Sequence, residues 1–266
     1  MSTPPVFDQA HYAALNEARE AVVRPLLQGL KKKLNAETAL DVGCGSGYFS
    51  SVLHSEGFRV TGLDGRAENA ALAASRYPQA RFFAANVEDD EVQKYGPADV
   101  VVCFGLLYHL ENPFRAVRNL QALTGRVLLV ESMCLPGDLP VMELRDECRT
   151  EDQGLQFVAF YPSEACLAKL IYRAGFSIVY SFRKSPEHEA YRDSARQKKS
   201  RTMLVASRVE LDMPQLERVP EPAARLNPWT TAWDRLGAPL RRLGRQLTKP
   251  WPEKVASVRR RLSGSL

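Results

Sequence analysis

Apolar residues along the chain recur with two periods, and the period switches at regular intervals. Tyr12, Leu15, Ala18, Val22, Leu26 and Leu30 fall at helical spacing, which predicts a helix in front of the first strand. Asp8 is its expected N-cap, and Pro25 is expected to kink it or divide it in two. Strand-like runs then follow at 39–42, 58–64, 80–90 (with its exit loop), 98–110 and 125–132. Helical patterns separate them, starting near Ser46, Ala67 and Pro113, with Gly57 and Pro78 closing the first two. The unbroken apolar run in the fourth segment suits a central parallel strand, buried on both faces.

After residue 132 the alternation lapses. Pro136, Gly137, Pro140 and Gly154 interrupt it, and Glu143, Arg145, Asp146 and Glu147 are charged. A connection this long inside a domain is usually functional, so 133–160 is expected to be a substrate lid. Ser163 then caps a helix that ends at Gly175. A sixth strand at 176–182, a polar stretch at 184–200 and a seventh strand at 201–209 complete the series. Strand–helix repeats with right-handed crossovers predict an α/β, doubly wound, seven-stranded sheet of Rossmann-like type. The last two strands are joined without a helix, so one antiparallel strand is expected near the C-terminal end. The expected division is a helical cap at 1–35, a core domain at 36–209 and an extension at 210–266; the cap either covers one edge of the sheet or closes over a ligand with Tyr12 or Arg19 reaching in.

The first strand runs into Asp41-Val-Gly43-Cys44-Gly45-Ser46-Gly47. Glycines let the chain turn sharply and let a ligand lie against bare backbone. The following helix start offers unpaired N–H groups. A dinucleotide fingerprint would read G-x-G-x-x-G. Here the spacing is G-x-G-x-G, preceded by an acid that repels phosphate and attracts an ammonium group. Asp64 ends the second strand 23 residues after Asp41, where a carboxylate can accept both hydroxyls of a ribose. The other reading of Asp64 is a turn acid capping the next helix.

This pattern resembles motif I of the class I methyltransferases that use S-adenosylmethionine, and the resemblance covers roughly residues 36–209. It implies that Asp41, Gly43, Cys44, Gly45 and Gly47 hold the amino-acid end of the cofactor. Asp64 and Gly65 would take the ribose. Asn86, Val87 and Glu88, at the exit of the third strand, would take the adenine. There the Glu88 side chain would meet the amino group and the Val87 backbone the ring. Phe104 and Gly105 stand at the carboxyl edge of the fourth strand, where open α/β sheets bind ligands. Glu88 can equally start the next helix, where acids are favoured.

The nucleophile is less legible. No N-P-P-Y pattern follows strand four and no cysteine pair suggests covalent attack on a base. Oxygen or a small amine remains as acceptor. His109 is placed to act as general base, or else to stack on its neighbours. Tyr108, Glu131 and, in the lid, Glu143 are further candidates. A closer similarity lies in Gly105-Leu106-Leu107-Tyr108-His109, the stretch beginning Phe160-Tyr161-Pro162 and Lys199-Ser200-Arg201-Thr202. These resemble the family that modifies the wobble uridine of tRNA with a carboxylated cofactor. The resemblance implies that Tyr108 and Arg201 bind the extra carboxylate. That family carries a longer N-terminal part with a further basic contact, whereas 35 residues precede the first strand here.

Charge changes the picture at one end. The chain has 266 residues and a net charge of +5. Residues 225–266 hold ten Lys or Arg against Asp234 and Glu253, so the other 224 residues are net acidic. Trp233, Leu236, Leu240, Leu243 and Leu247 share one helical face there, between arginines. Such a basic, Trp-bearing stretch fits a peripheral membrane contact, a helix packed on the domain, or a disordered tail. No apolar run reaches the 18 residues of a membrane span, and the first residues lack the marks of a signal peptide. Five scattered cysteines and four dispersed histidines predict reduced thiols, a cytoplasmic setting and no metal site. Three functions remain open: O-methylation of a small molecule or sugar precursor, tRNA wobble-uridine modification, and a non-catalytic cofactor-binding module.

Overall fold

The structure is a computed structural model that describes residues 6–150, 153–194 and 197–223. A short 3-10 turn leads into helix α1 (Ala10–Leu34), followed by β1 (Thr38–Val42), α2 (Tyr48–Ser55), β2 (Arg59–Asp64) and α3 (Ala67–Arg76). Next come β3 (Arg81–Ala84), β4 (Ala98–Phe104), α4 (Pro113–Leu123) and β5 (Thr124–Met133). The remainder is β6 (Met142–Asp146), β7 (Val158–Pro162), α5 (Glu164–Ala174), β8 (Ile178–Phe182), β9 (Arg201–Ser207) and β10 (Leu216–Arg218).

The main sheet has the order β10-β8-β9-β5-β4-β1-β2-β3. β1 to β5 are parallel, and β9 runs antiparallel between β5 and β8. Side chains alternate across it as a pleated strand requires. Val100, Val102, Val127 and Leu129 pack on one face with α1 and α2. Val101, Cys103, Leu128 and Val130 pack on the other with α4 and α5. Val100, Val101 and Val102 are fully buried, and each such side chain contributes roughly 1.5–3 kcal/mol.

The alternation of periods therefore led to the right architecture, with four differences. Pro25 does not divide α1, which is one helix of 25 residues. Pro25 and Ala21 lie on its solvent side, so water can serve the carbonyl that the proline leaves unpaired, while Val23, Leu26, Leu27 and Leu30 anchor the buried stripe. The residue at the N-cap is Gln9; Asp8 instead pairs with Arg76 at 2.6 Å. The connection 133–160 contains an ordered strand, β6, which pairs antiparallel with β7 in a separate two-stranded sheet. Its β6 residues are mostly exposed, so the inside–outside alternation that marks a strand is missing. Finally, β10 adds an eighth strand to the sheet edge, with Leu211, Met213 and Leu216 buried beneath it. The compact unit runs to Pro222, past the expected boundary at 209. The basic stretch 225–266 lies outside the described residues. Among the described residues no helix is long and apolar enough to cross a membrane.

Candidate active site

A cleft opens at the carboxyl ends of β1, β2, β3 and β4, and α1 supplies one wall with Tyr12, Asn16 and Arg19. Its centre is the glycine turn after β1. Gly43 and Cys44 donate their N–H groups to the Leu63 carbonyl at 2.8 and 3.0 Å, which ties the turn to β2. Gly43, Gly45 and Gly47 take φ of +76°, +51° and +91°, a region that side chains rarely occupy. Gly43, Cys44 and Gly45 line the cleft. Gly47 does not; it caps α2, and a Cβ there would sit 2.7 Å from the Tyr77 ring.

Two acids face this turn. Asp64 Oδ2 accepts from Gly45 N–H at 2.9 Å, while Oδ1 accepts from Arg66 N–H at 2.9 Å and Asn69 Nδ2 at 3.1 Å. Its carboxylate is thus fixed before any ligand arrives. Asp41 is buried and accepts from Ser50 Oγ at 2.7 Å. Burial pushes its carboxyl up to about 6; the Ser50 bonds oppose this and the Asp64 charge adds to it. An acid held this way gains from a cation placed beside it.

Gly65, Ala85, Asn86 and Val87 continue the wall beyond Asp64. The Glu88 side chain does not line it. That carboxylate turns outward and accepts from the Asn112 N–H, just ahead of α4. The acid expected to meet a base is therefore spent on a helix start.

The floor on the far side is a charge cluster. Glu131, on β5, is completely buried. Its Oε2 accepts from Arg19 Nη2 at 2.8 Å, and its Oε1 accepts from Arg201 Nη1 and the Tyr191 hydroxyl, each at 3.0 Å. Arg201 Nη2 reaches the Tyr108 hydroxyl at 3.3 Å. Burial would raise Glu131, but the two guanidinium groups overrule it and hold the carboxyl below its usual range. Both carboxylate oxygens are engaged and ionised, so Glu131 is a poor proton acceptor and takes a structural place instead of the catalytic one expected. Glu143 is corrected too: it is exposed on β6 and pairs with Arg145 at 3.0 Å, away from the cleft.

Phe104, Gly105, Tyr108 and His109 all line the cleft after β4. Gly105, at φ +69°, brings bare backbone against the cluster: a Cβ there would be 3.9 Å from Arg19 Nη2 and from Glu131 Oε2. His109 Nδ1 lies 2.5 Å from Glu147 Oε1, and Gln153, Gly154 and Leu155 complete the rim above it. Part of the expected lid is therefore in contact with the cleft.

Sequence reading gave no role to Tyr191 or Glu147, and it considered Arg19 only as a residue that could reach over a ligand from the N-terminal helix, not as a partner of Glu131. Arg19 had a detectable signal: it shares the i, i+4 stripe of Leu15 and Val23, an arginine on an apolar face. Glu131 sits likewise in an apolar strand, and two opposite charges in apolar surroundings are expected to meet. Tyr191 and Glu147 lie in irregular polar stretches and carried no such mark.

A family model described as a methyltransferase domain matches residues 14–181, more than half of the chain. The chain belongs to this methyltransferase family, and the cofactor is S-adenosylmethionine. A tRNA U34 carboxymethyltransferase of Actinobacillus succinogenes is 29% identical over 55% of this chain and 47% of its own length. A ubiquinone biosynthesis O-methyltransferase of Vibrio campbellii is 34% identical over 32% of this chain and 37% of its own. The chain thus spans less than half the length of these curated relatives. Among solved structures, the N-terminal domain of EvdMO1 with SAH bound aligns with a TM-score of 0.57 at 21% identity, over 69% of this chain and 80% of that one. Magnesium protoporphyrin IX methyltransferase from Synechocystis PCC 6803 with bound SAM aligns with a TM-score of 0.52 at 19% identity, over 78% and 87%. These likenesses establish the same fold.

Proposed function

We propose that the chain methylates an oxygen of a small molecule, such as a sugar or glycan precursor, with His109 as general base. The observation that carries this reading is His109 on the cleft wall beside Gly105, with Nδ1 bonded to Glu147. With Nδ1–H donating, the basic lone pair is at Nε2, the atom that would take the acceptor's hydroxyl proton. S-adenosylmethionine supplies a methyl group on a sulfonium, so the electrophile needs no help from the protein. The chain's task is to bind, align and deprotonate.

Asp64 is poised for the ribose hydroxyls and Asp41 for the ammonium group. Asn86 and the Val87 backbone are the remaining candidates for the base. Arg19, Glu131, Arg201 and Tyr108 hold the floor rigid, because each charge in the cluster has a partner. The relatives named for ubiquinone biosynthesis and the magnesium protoporphyrin enzyme act on small molecules, which supports an acceptor of that kind.

A second reading follows from Arg201 and Tyr108, which stand together as a carboxylate-binding pair would, and from the relatives named as tRNA U34 carboxymethyltransferases. It ranks lower because Glu131 already occupies Nη1 of Arg201. A non-catalytic binding module ranks third. Calorimetric titration with S-adenosylmethionine and with its carboxylated analogue separates these readings. Tight binding of the plain cofactor, followed by methyl transfer to hydroxylated metabolites, is expected. Selective binding of the carboxylated form would move tRNA to first place, and turnover on no acceptor would favour the third reading.

A further inference from the structure

We propose that Glu147 is a positioning residue that couples the seating of the strap 153–155 on the cleft to the orientation of His109, so that the base is aligned only beneath a closed cleft. The inference rests on His109 serving as the base of the proposed reaction. Glu147 follows the last β6–β7 pair, Asp146 with Val158, and its N–H donates to the Phe157 carbonyl at 2.9 Å. Gln153, Gly154 and Leu155 line the cleft above His109. One carboxylate then makes two bonds in two directions. Oε1 takes His109 Nδ1, and Oε2 accepts the Gly154 N–H at 2.9 Å. The Glu147 side chain is 4% exposed and that of His109 11%, so both bonds are largely withdrawn from water.

The strap is also seated at its far end. Arg66 Nη2 donates to the Gln153 carbonyl at 3.1 Å, and Arg66 N–H is one of the donors that fix Asp64. Leu155 lies over Gly65, with its Cδ1 3.1 Å from where a Cβ would stand. The strap therefore bridges the ribose side of the cleft and His109. The approach to His109 is closer than any side chain allows: a Cβ on Gly154 would fall 2.3 Å from the His109 carbonyl oxygen. Phe157, at the strap's return, holds φ +55°, a conformation that persists only where the surroundings impose it.

A carboxylate on Nδ1–H selects the tautomer that is basic at Nε2 and stabilises the imidazolium formed once that atom takes a proton. In this protein the same carboxylate is the strap's latch. Opening the strap takes the Glu147 carboxylate away from Nδ1, and the preference for the Nε2-basic tautomer that this carboxylate imposes is lost.

Ring nitrogen and amide-exchange NMR on the full chain tests this, with His109→Gln to assign the His109 signal. The wild type is expected to show His109 protonated at Nδ1 and a slowly exchanging Gly154 amide. Glu147→Ala is expected to move the ring away from that tautomer and to speed Gly154 exchange by about tenfold or more, the loss due to a charge-assisted hydrogen bond. Gly154→Ala leaves both side chains intact and should shift the His109 ring through strap displacement alone. Unchanged exchange in the β4 amides identifies variants that remain folded. A ring unaffected by Glu147→Ala, or a Gly154→Ala ring identical to wild type, overturns the coupling. S-adenosylhomocysteine titration of the wild type is read separately: its failure to bind would overturn the methyltransferase reading, whatever the ring signal shows.

Discussion

Arg19 on α1 and Glu131 on β5 stand 112 residues apart in sequence and form an ion pair of 2.8 Å under the cleft floor. The pair fastens the N-terminal helix to the centre of the sheet at the point where the cleft needs a wall. Tyr191 and Arg201 close the cluster from two further segments.

Replacing Glu131 by Gln leaves the buried guanidinium of Arg19 and the partly buried one of Arg201 without their shared counter-charge. Loss of one partner from such a pair costs roughly 3–5 kcal/mol. Urea unfolding at pH 7 is expected to show that loss, and Arg19→Met in the same background should recover part of it. Because the Glu131 carboxyl is held below its ordinary range, its stabilisation is present above the unfolded value of 4.5 and is lost as pH falls through the folded one. A Glu131→Gln protein as stable as wild type would refute the role given to the cluster.

Asp41 has the opposite sign. Its value rises from 3.8 to about 6 on folding, so ionising it in the ligand-free protein is unfavourable. Stability of that form should fall by about 3 kcal/mol from this group as pH rises from 3.8 to 6. Affinity for a cofactor ammonium should do the reverse and weaken about tenfold per pH unit below 6. Titrations with S-adenosylhomocysteine at pH 5 and 7 measure this, and Asp41→Asn should remove the slope. Equal affinity at both pH values in the wild type would count against an ammonium at Asp41.

Asp64→Ala removes a preset carboxylate and releases Gly45, Arg66 and Asn69 from it. Hydrogen bonds to a charged group contribute about 1.5–3 kcal/mol, so S-adenosylhomocysteine should bind at least about tenfold more weakly. Calorimetry reads this directly, and undiminished binding would displace Asp64 from the ribose site.

Gly47→Ala meets two obstacles, φ +91° and the Tyr77 ring at 2.7 Å. Gly137→Ala meets only one, since φ is +109° and nothing lies within 4 Å. Strain at positive φ costs of order 1–3 kcal/mol. Denaturation midpoints should therefore fall for both variants and further for Gly47. A larger loss at Gly137 would mean that the Tyr77 contact yields easily.

The fold was legible because each strand of the parallel sheet carries its own local signature. Ala98–Phe104 reads as a buried strand from residue type alone, and Gly43, Gly45 and Gly47 mark the turn wherever the chain goes next. β6 and β10 were not legible, since exposed residues on one and a three-residue length on the other leave no period to detect. The cleft divides the same way. Asp41, Asp64, Gly105, Tyr108 and His109 lie at strand ends, and the structure brings them to one edge. Glu88 and Glu143 were misplaced because an acid's side chain can turn to solvent or to a helix start without any change in pattern.

Local sequence thus determined the strands and helices of the parallel core, the glycine turn and the class of ligand it suits, since those depend on propensity and short-range sterics. Tertiary structure alone decided which charges meet. The pairing of Arg19, Glu131, Tyr191 and Arg201, and the latch of Glu147 on His109 and Gly154, join segments far apart in the chain. Such contacts form because a buried charge without a partner is too costly to keep, and that cost exists only once the sheet has closed around it.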